Sequence, residues 1–421
     1  MGLFKRRPAE TTVVEPVEVA PAPVLPPPPP SDHAGRRVVG DQQKYLLSLV
    51  QPLPAFGMYL LDAWGTAVCE DIVADTFQPI DDLVAVDGYA VRSSDLEGAD
   101  ASSPITLRLR DDDRVAKVSA AVRVRSGQVL PEGADAVVPA GRAVLEGTVL
   151  TVERPVAPGD FVRRAGSEVR AGVPLMRSGE RLDARRSALL AMAGVDRVLA
   201  RPRPRVVVLS LADADSDPAD VDSHLLAAAA KADGAQVWRV GLATGTDREL
   251  HDLISDQLIR ADIVVATGAL DGQAQLPRVV STMGPTDMAS VLMSPGGRIG
   301  FGLIGEDEIP MVMLPDDPVA AYADYQVFVR PLVRKLMGTP VVQREQVSCL
   351  VGGELSSSRG LFDLRFGTVR EQSGEKVVVP IGRPDNPRLA DLVAADAVVV
   401  LPEATTSVGL GERVGCWLLA D

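Results

Sequence analysis

Aromatic residues make up only 4% of this 421-residue chain, so its cores must be packed from Ala, Val and Leu rather than from rings. Cysteine is scarce as well. Cys69, Cys349 and Cys416 lie far apart with no CxxC spacing, which excludes a disulfide framework and a zinc cluster. His33, His224 and His251 are equally scattered, so no metal centre is expected from them. No apolar run approaches the 18 or so residues of a membrane-spanning helix, and MGLFKRR is not followed by the apolar stretch of a signal peptide. The expectation is a cytoplasmic protein, touching a membrane only through its tail or a partner. Positive charge is short too: 43 Lys and Arg face 57 Asp and Glu, a net charge of −14. A chain built to grip phosphate backbones would be basic, so no nucleic acid partner is expected.

What is present fits a soluble protein of several domains, with 46% hydrophobic and 24% charged residues. Residues 1–40 read as a disordered Pro-rich tail. Pro26–Pro30 favours polyproline II, with Met1–Arg7 as a small basic-apolar tip, and the segment suits a tether. Residues 41–76 read as N-terminal helices and a linker. A helix is expected over Gly40–Val50 with Asp41 as its cap, followed by an amphipathic stretch over Tyr59–Ala74. Residues 77–163 form a β-rich inserted domain, with Ile105–Leu109, Ala121–Arg125, Ala136–Pro139 and Val149–Val152 as short strands. A connecting segment, 164–203, carries a helix over Arg181–Gly194 that Gly194 stops. After an α/β domain at 204–339, residues 340–421 return to short strands (Val347–Val351, Lys376–Pro380, Ala397–Leu401, Arg413–Leu418), as in a β barrel.

The α/β domain organises the rest. Arg205–Ser210, Gln236–Gly241 and Asp262–Thr267 are apolar runs separated by helical patterns at Val221–Ala232 and about Asp247–Arg260. Such runs predict strands buried on both faces in a largely parallel sheet, closed by a long helix over Val319–Met337. Ligands of such sheets sit outside the carboxyl ends of the strands. Those ends are the loops Leu211–Asp215, Thr244–Asp247, Gly268–Gln275 and Pro315–Pro318.

Five stretches occur in an order and spacing that resembles the molybdopterin molybdenumtransferase family, MoeA and the gephyrin E domain. They are Val86–Asp95 (VDGYAVRSSD), Arg125–Val138 (RSGQVLPEGADAVV), Val162–Gly172 (VRRAGSEVRAG), Leu189–Val195 with Arg203–Ser210, and Leu314–Gly338. The resemblance covers about residues 41–421. It implies an α/β multidomain, elongated dimer with a β-rich inserted domain, a molybdopterin-binding α/β domain and a C-terminal β barrel. It also implies a reaction: cleavage of adenylylated molybdopterin with a divalent cation, Mg2+, and insertion of molybdate.

Measured against the family's motifs, the site is partly kept. Asp87 stands at the Asp of MDGYA, Ser126 keeps a hydroxyl in place of Thr, and Glu168 fills the Asp of the GED pattern, where Ser167 has replaced the Glu. STGDE has become Ser210, Leu211, Ala212, Asp213 and Ala214, and GGVSxGxxD ends on Gln275. KPGKP reads Ser294, Pro295, Gly296, Gly297 and Arg298, so both lysines are gone and Arg298 is the nearest cation. PGNP has become Pro315, Asp316, Asp317 and Pro318, two added charges beside an anion pocket. A like-charge contact at about 4 Å costs roughly 1–4 kcal/mol, so dianion binding should fall by orders of magnitude.

Two functional readings follow from the resemblance. In the first, the chain is a catalytically inactive, dimeric scaffold that needs no cofactor and holds a partner peptide, as gephyrin does. A division or cytoskeletal partner is expected, with Pro318, Tyr322 and Tyr325 as the contact. In the second, it is an active molybdenumtransferase with a rearranged site using Asp87, Glu168, Asp213 and Arg298, with Mg2+ and molybdate. A third possibility is a binder of molybdopterin or a nucleotide that does no chemistry, and Gly268, Asp222, Ser223 and Arg298 are the cofactor-binding candidates.

Overall fold

The computed structural model describes residues 24–111, 118–211, 219–271 and 273–419. The chain divides into two compact units: Pro204–Leu336 and Val341–Asp421 with the N-terminal segment up to Gln51, and Pro52–Arg203 with Met337–Pro340. None of the helices among the described residues is long and apolar enough to cross a membrane.

The first unit holds a seven-stranded sheet. In chain order its elements are β1 (Arg36–Arg37), α1 (Val39–Ser48), β2 (Arg205–Leu211), α2 (Val221–Ala232), β3 (Gln236–Ala243), α3 (Asp247–Leu258), β4 (Ile263–Thr267), α4 (Gln275–Met283), β5 (Thr286–Val291), β6 (Arg298–Ile304), β7 (Ile309–Leu314) and α5 (Pro318–Asp324). The strand order is β1-β5-β6-β7-β4-β2-β3. The run RVVVLSL of β2 lies inside the sheet, where Val206–Leu209 are fully buried. It pairs in parallel with β3 and β4, and β4 pairs in parallel with β7. Local signals set the helix ends. Thr246 and Glu249 form a capping box at the start of α3, and Gly234, at φ +94°, takes the left-handed turn after α2.

The sheet is largely parallel, as predicted: four of its six strand pairings are parallel, and the two exceptions both involve β6. β6 runs antiparallel to both β5 and β7, because a short hairpin rather than a helical crossover joins β6 to β7. The tail is corrected over its described part. Arg36–Arg37 is an edge strand parallel to β5, and the Pro26 carbonyl accepts a 3.0 Å hydrogen bond from the buried Tyr45 hydroxyl of α1. Arg37 holds Asp287 of β5 through two hydrogen bonds of 2.5 and 2.8 Å. Residues 1–23, with the tip Met1–Arg7, lie outside the described residues. Asp41 sits in the first turn of α1; the capping position is Val38, which offers no side-chain bond.

The long helix predicted over Val319–Met337 is present but interrupted. α5 passes into a π-turn at Tyr325–Val329 before Arg330–Leu336 resumes the α form. A π-turn widens the helix by one residue and so rotates the turns beyond it. Past it, five strands close a barrel in the order Phe362–Gln372, Glu375–Pro380, Val347–Val351, Arg413–Leu418, Ala397–Leu401 and back to Phe362–Gln372.

The second unit centres on a six-stranded sheet whose middle includes Gly88–Val91, Ala120–Val124 and Ile105–Arg110. Gly88 is obligatory there, since a Cβ would stand 2.1 Å from the Val138 carbonyl oxygen. The stretch Tyr59–Ala74 is not a helix. Phe56–Tyr59 pairs antiparallel with Arg197–Ala200, turns follow, and Ile72–Val73 pairs with Pro174–Met176. The helix expected over Arg181–Gly194 is found at Ala184–Met192, capped by Asp183, which accepts from the Arg186 amide.

Candidate active site at the carboxyl edge of the sheet

Register brings the strand ends level. Thr267, the last residue of β4, stands opposite Ser210 of β2 and Leu314 of β7. The antiparallel pairing of Gly300 with Met313 then puts Arg298, the first residue of β6, at the same edge, beside Pro315. Arg298 is exposed, and its guanidinium has no partner among the described residues. It is available to an anion.

At the strand ends the Thr267 hydroxyl bonds the Ser210 hydroxyl at 2.9 Å. Thr267 also hydrogen bonds the carboxylate of Asp222, which enters from the first turn of α2. Asp222 is only 9% exposed, and its Oδ1 has no hydrogen-bond partner. Burial pushes its carboxyl up to about 6; the Thr267 bond opposes this, while the charges of Asp316, Asp317 and Asp220 add to it.

Ser223 does not fit its expected ligand-binding role. It is fully buried, its hydroxyl donates to Asp220 at 2.5 Å, and it accepts from Arg239 at 3.0 Å. Gly268 is likewise enclosed. Its amide bonds the Leu314 carbonyl, and Leu211 and Leu276 crowd the space a side chain would take. Gln275 ties two of the edge loops together through a 2.8 Å bond to the Gly245 carbonyl, and Arg278 does the same with a double bond to Asp247. Asp213 and the rest of 212–218 lie outside the described residues.

The turn at Gly297 explains the loss of one of the two lysines. Gly297 is held at φ +88°, and a Cβ there would stand 2.6 Å from the Val291 carbonyl oxygen. Beneath the turn, the Asp324 carboxylate accepts from the Gly297 amide at 2.7 Å; the side chain is fully buried, and burial raises its carboxyl well above the ordinary range. Gly297→Lys is therefore expected to destabilise the unit by at least about 1–2 kcal/mol in urea unfolding, without gaining molybdate affinity.

In the second unit, Asp87 and Ser126 meet. The Ser126 amide donates to Asp87 Oδ1 at 2.8 Å, and the Ser126 hydroxyl donates to the Ala85 carbonyl. Glu168 is exposed on a separate turn and shares no hydrogen bond with them. Of the residues expected to receive a partner, Pro318 and Tyr322 are half-buried, but Tyr325 is fully buried and donates to Asp233 at 2.8 Å. It offers no surface for a peptide.

One element escaped the sequence reading. A cavity of about 210 Å3 lies among Pro295, Leu364, Arg365, Phe366, Pro380 and Pro387. Arg365 is aimed there by buried Asp363, with which it forms an ion pair. The signal was a charged pair two residues apart, hence on one strand face, within an apolar strand.

The profile of the MoeA N-terminal region (domain I and II) matches residues 38–194. The chain is 33% identical to molybdopterin molybdenumtransferase 1 of Mycobacterium tuberculosis, over 92% of this chain and 99% of that protein. To molybdopterin molybdenumtransferase 2 of the same organism it is 27% identical, over 90% and 99%. A crystal structure of a molybdopterin biosynthesis moeA protein from Pyrococcus horikoshii superposes with a TM-score of 0.70 at 23% identity, covering 92% of this chain and 100% of that one. That likeness extends to the mixed α/β architecture with its closed barrel.

Proposed function

Since the chain belongs to the molybdopterin molybdenumtransferase family, we propose that it carries out a molybdenumtransferase reaction, inserting molybdate into adenylylated molybdopterin at the carboxyl edge of the α/β sheet. The observation that carries the reading is the 33% identity spread over 92% of the chain and nearly all of the relative. Arg298 supplies positive charge for the substrate's oxyanions. Thr267 and Ser210 orient Asp222 behind it.

A divalent cation is implied by adenylate cleavage, where it would neutralise phosphate charge. Among the described residues no three carboxylate, histidine or cysteine side chains come together as a metal cage. The edge does offer the free oxygen of Asp222 and nearby Asp316, and Mg2+ is commonly held by one or two carboxylates with substrate phosphates completing its shell. The donors fit on those terms.

The test is reconstitution of an apo-molybdoenzyme from adenylylated molybdopterin and molybdate. Turnover above a no-protein control is expected, falling at least about tenfold in Arg298→Ala. No turnover from folded protein would overturn the proposal. It would favour the scaffold reading, to which the lysine-excluding turn at Gly297 and the aspartates at 316 and 317 already lend support.

A further inference from the structure

We infer that the second unit carries a phosphate-binding site above Gly65, formed by Arg181 and Arg203. Gly65 takes φ +80° and leaves a hollow where a side chain would stand. Outside the turn itself, the three atoms nearest the missing Cβ are all guanidinium nitrogens: Arg203 Nη2 at 3.2 Å, Arg181 Nη2 at 3.5 Å and Arg181 Nε at 3.9 Å. Both arginines are exposed, and neither meets a carboxylate among the described residues. Arg203 donates to the Trp64 carbonyl at 2.9 Å and Arg181 to the Gly65 carbonyl at 2.8 Å, so two successive carbonyls hold both cations on one turn. The nearby Arg185 and Arg186 are different, since both are paired with Asp183. Two like charges converge here without compensation, in a chain whose net charge is −14.

The backbone prepares this convergence. Arg203 lies between Pro202 and Pro204, which confine it to extended conformations. Arg181 bridges to Ala67, and its neighbour Leu182 accepts from the Gly65 amide at 2.8 Å and donates to the Thr66 carbonyl at 2.9 Å. A carboxylate offers two oxygens in one plane and is matched by a single guanidinium fork. The tetrahedral oxygens of a phosphate accept from two forks arriving from different sides. Trp64 borders the hollow with its ring 49% exposed and Arg203 5.9 Å from its centroid. A phosphate borne by a nucleotide would find a stacking face there; inorganic phosphate would not use it. The site does not rest on the transferase reading.

The experiment titrates full-length protein at low ionic strength with inorganic phosphate and, separately, with AMP, by calorimetry and tryptophan fluorescence. Saturable binding is expected, weakened at least about tenfold in Arg181→Gln and in Arg203→Gln. Lysine at either position keeps the charge without the fork and should recover part of the loss. Arg185→Gln and Arg298→Ala should stay within about twofold of wild type, since paired or distant exposed charges act weakly through water. Tighter binding of AMP, with quenching that Trp64→Phe abolishes, would identify a nucleotide; equal affinities without quenching would identify free phosphate. No saturable binding of either at millimolar concentration, or an equal loss in Arg185→Gln, would overturn the site. So would an oligomer that dissociates in the arginine variants while the wild type binds no phosphate, which would assign the pair to a carboxylate of a second copy. Phosphate binding by a protein that fails reconstitution would leave the site standing, and reconstitution without phosphate binding would remove the site alone.

Discussion

Tyr325→Ala is expected to cost the α/β unit about 3–5 kcal/mol in urea unfolding, because the ring is fully buried in the π-turn. Its hydroxyl donates to Asp233 Oδ2 at 2.8 Å, while Arg330 reaches Asp233 Oδ1 at 2.9 Å. The three side chains pin the end of α2 to the interrupted helix. Tyr325→Phe keeps the ring and leaves Asp233 its arginine, so the lost charged hydrogen bond alone should cost about 1.5–3 kcal/mol. Arg330→Ala leaves a nearly buried carboxylate without its cation and should cost about 3–5 kcal/mol. A Tyr325→Ala protein of unchanged stability that had lost a binding partner would return this residue to the surface.

Asp222→Asn is expected to stabilise the protein, and only above acidic pH. In the folded chain Asp222 holds its proton up to about 6; in the unfolded chain it releases it near 4. Between those values folding must take up a proton, so wild-type stability falls as pH rises through the window and levels off above it. Below the window the carboxyl is neutral in both states and the penalty vanishes. Asparagine does not titrate. The two proteins should melt together near pH 4 and separate progressively to about 2–3 kcal/mol above pH 6.5. For a unit of this size that is on the order of 4–10 °C. Parallel melting curves at every pH would show that Asp222 is not desolvated as described.

The elements legible in the sequence were those whose own residues carry the signal. β2, α2 and β4 combine unbroken apolar runs with a glycine stop, and Ala136–Pro139, Val149–Val152 and Ala397–Leu401 were readable to the residue. β5 and β6 were not. Thr286–Val291 mixes polar and apolar positions, and Gly300 and Gly302 dilute the strand pattern of Arg298–Ile304. Tyr59–Ala74 has an amphipathic composition that tertiary pairing overrode, of Tyr59 with Arg197 at one end and of Ile72–Val73 with Pro174–Met176 at the other. The edge of the sheet was legible as a ligand position from topology alone, and so was the loss of lysines. The burial of Ser223 and Tyr325 was not, nor was the approach of Asp316 to Asp222, because each depends on which distant strand arrives alongside.

The unit containing the sheet is interrupted in the chain: α1 is left at Gln51 and the sheet resumes only at Pro204. Arg37 must therefore wait for Asp287, which the ribosome adds 250 residues later. At ordinary rates of synthesis that is on the order of tens of seconds. Throughout it, an edge strand stands without its sheet, the condition under which exposed strands capture one another. A two-residue strand made of two arginines is a poor template for such capture. What looks in the finished fold like a minor edge is, during translation, a segment kept too short to go astray.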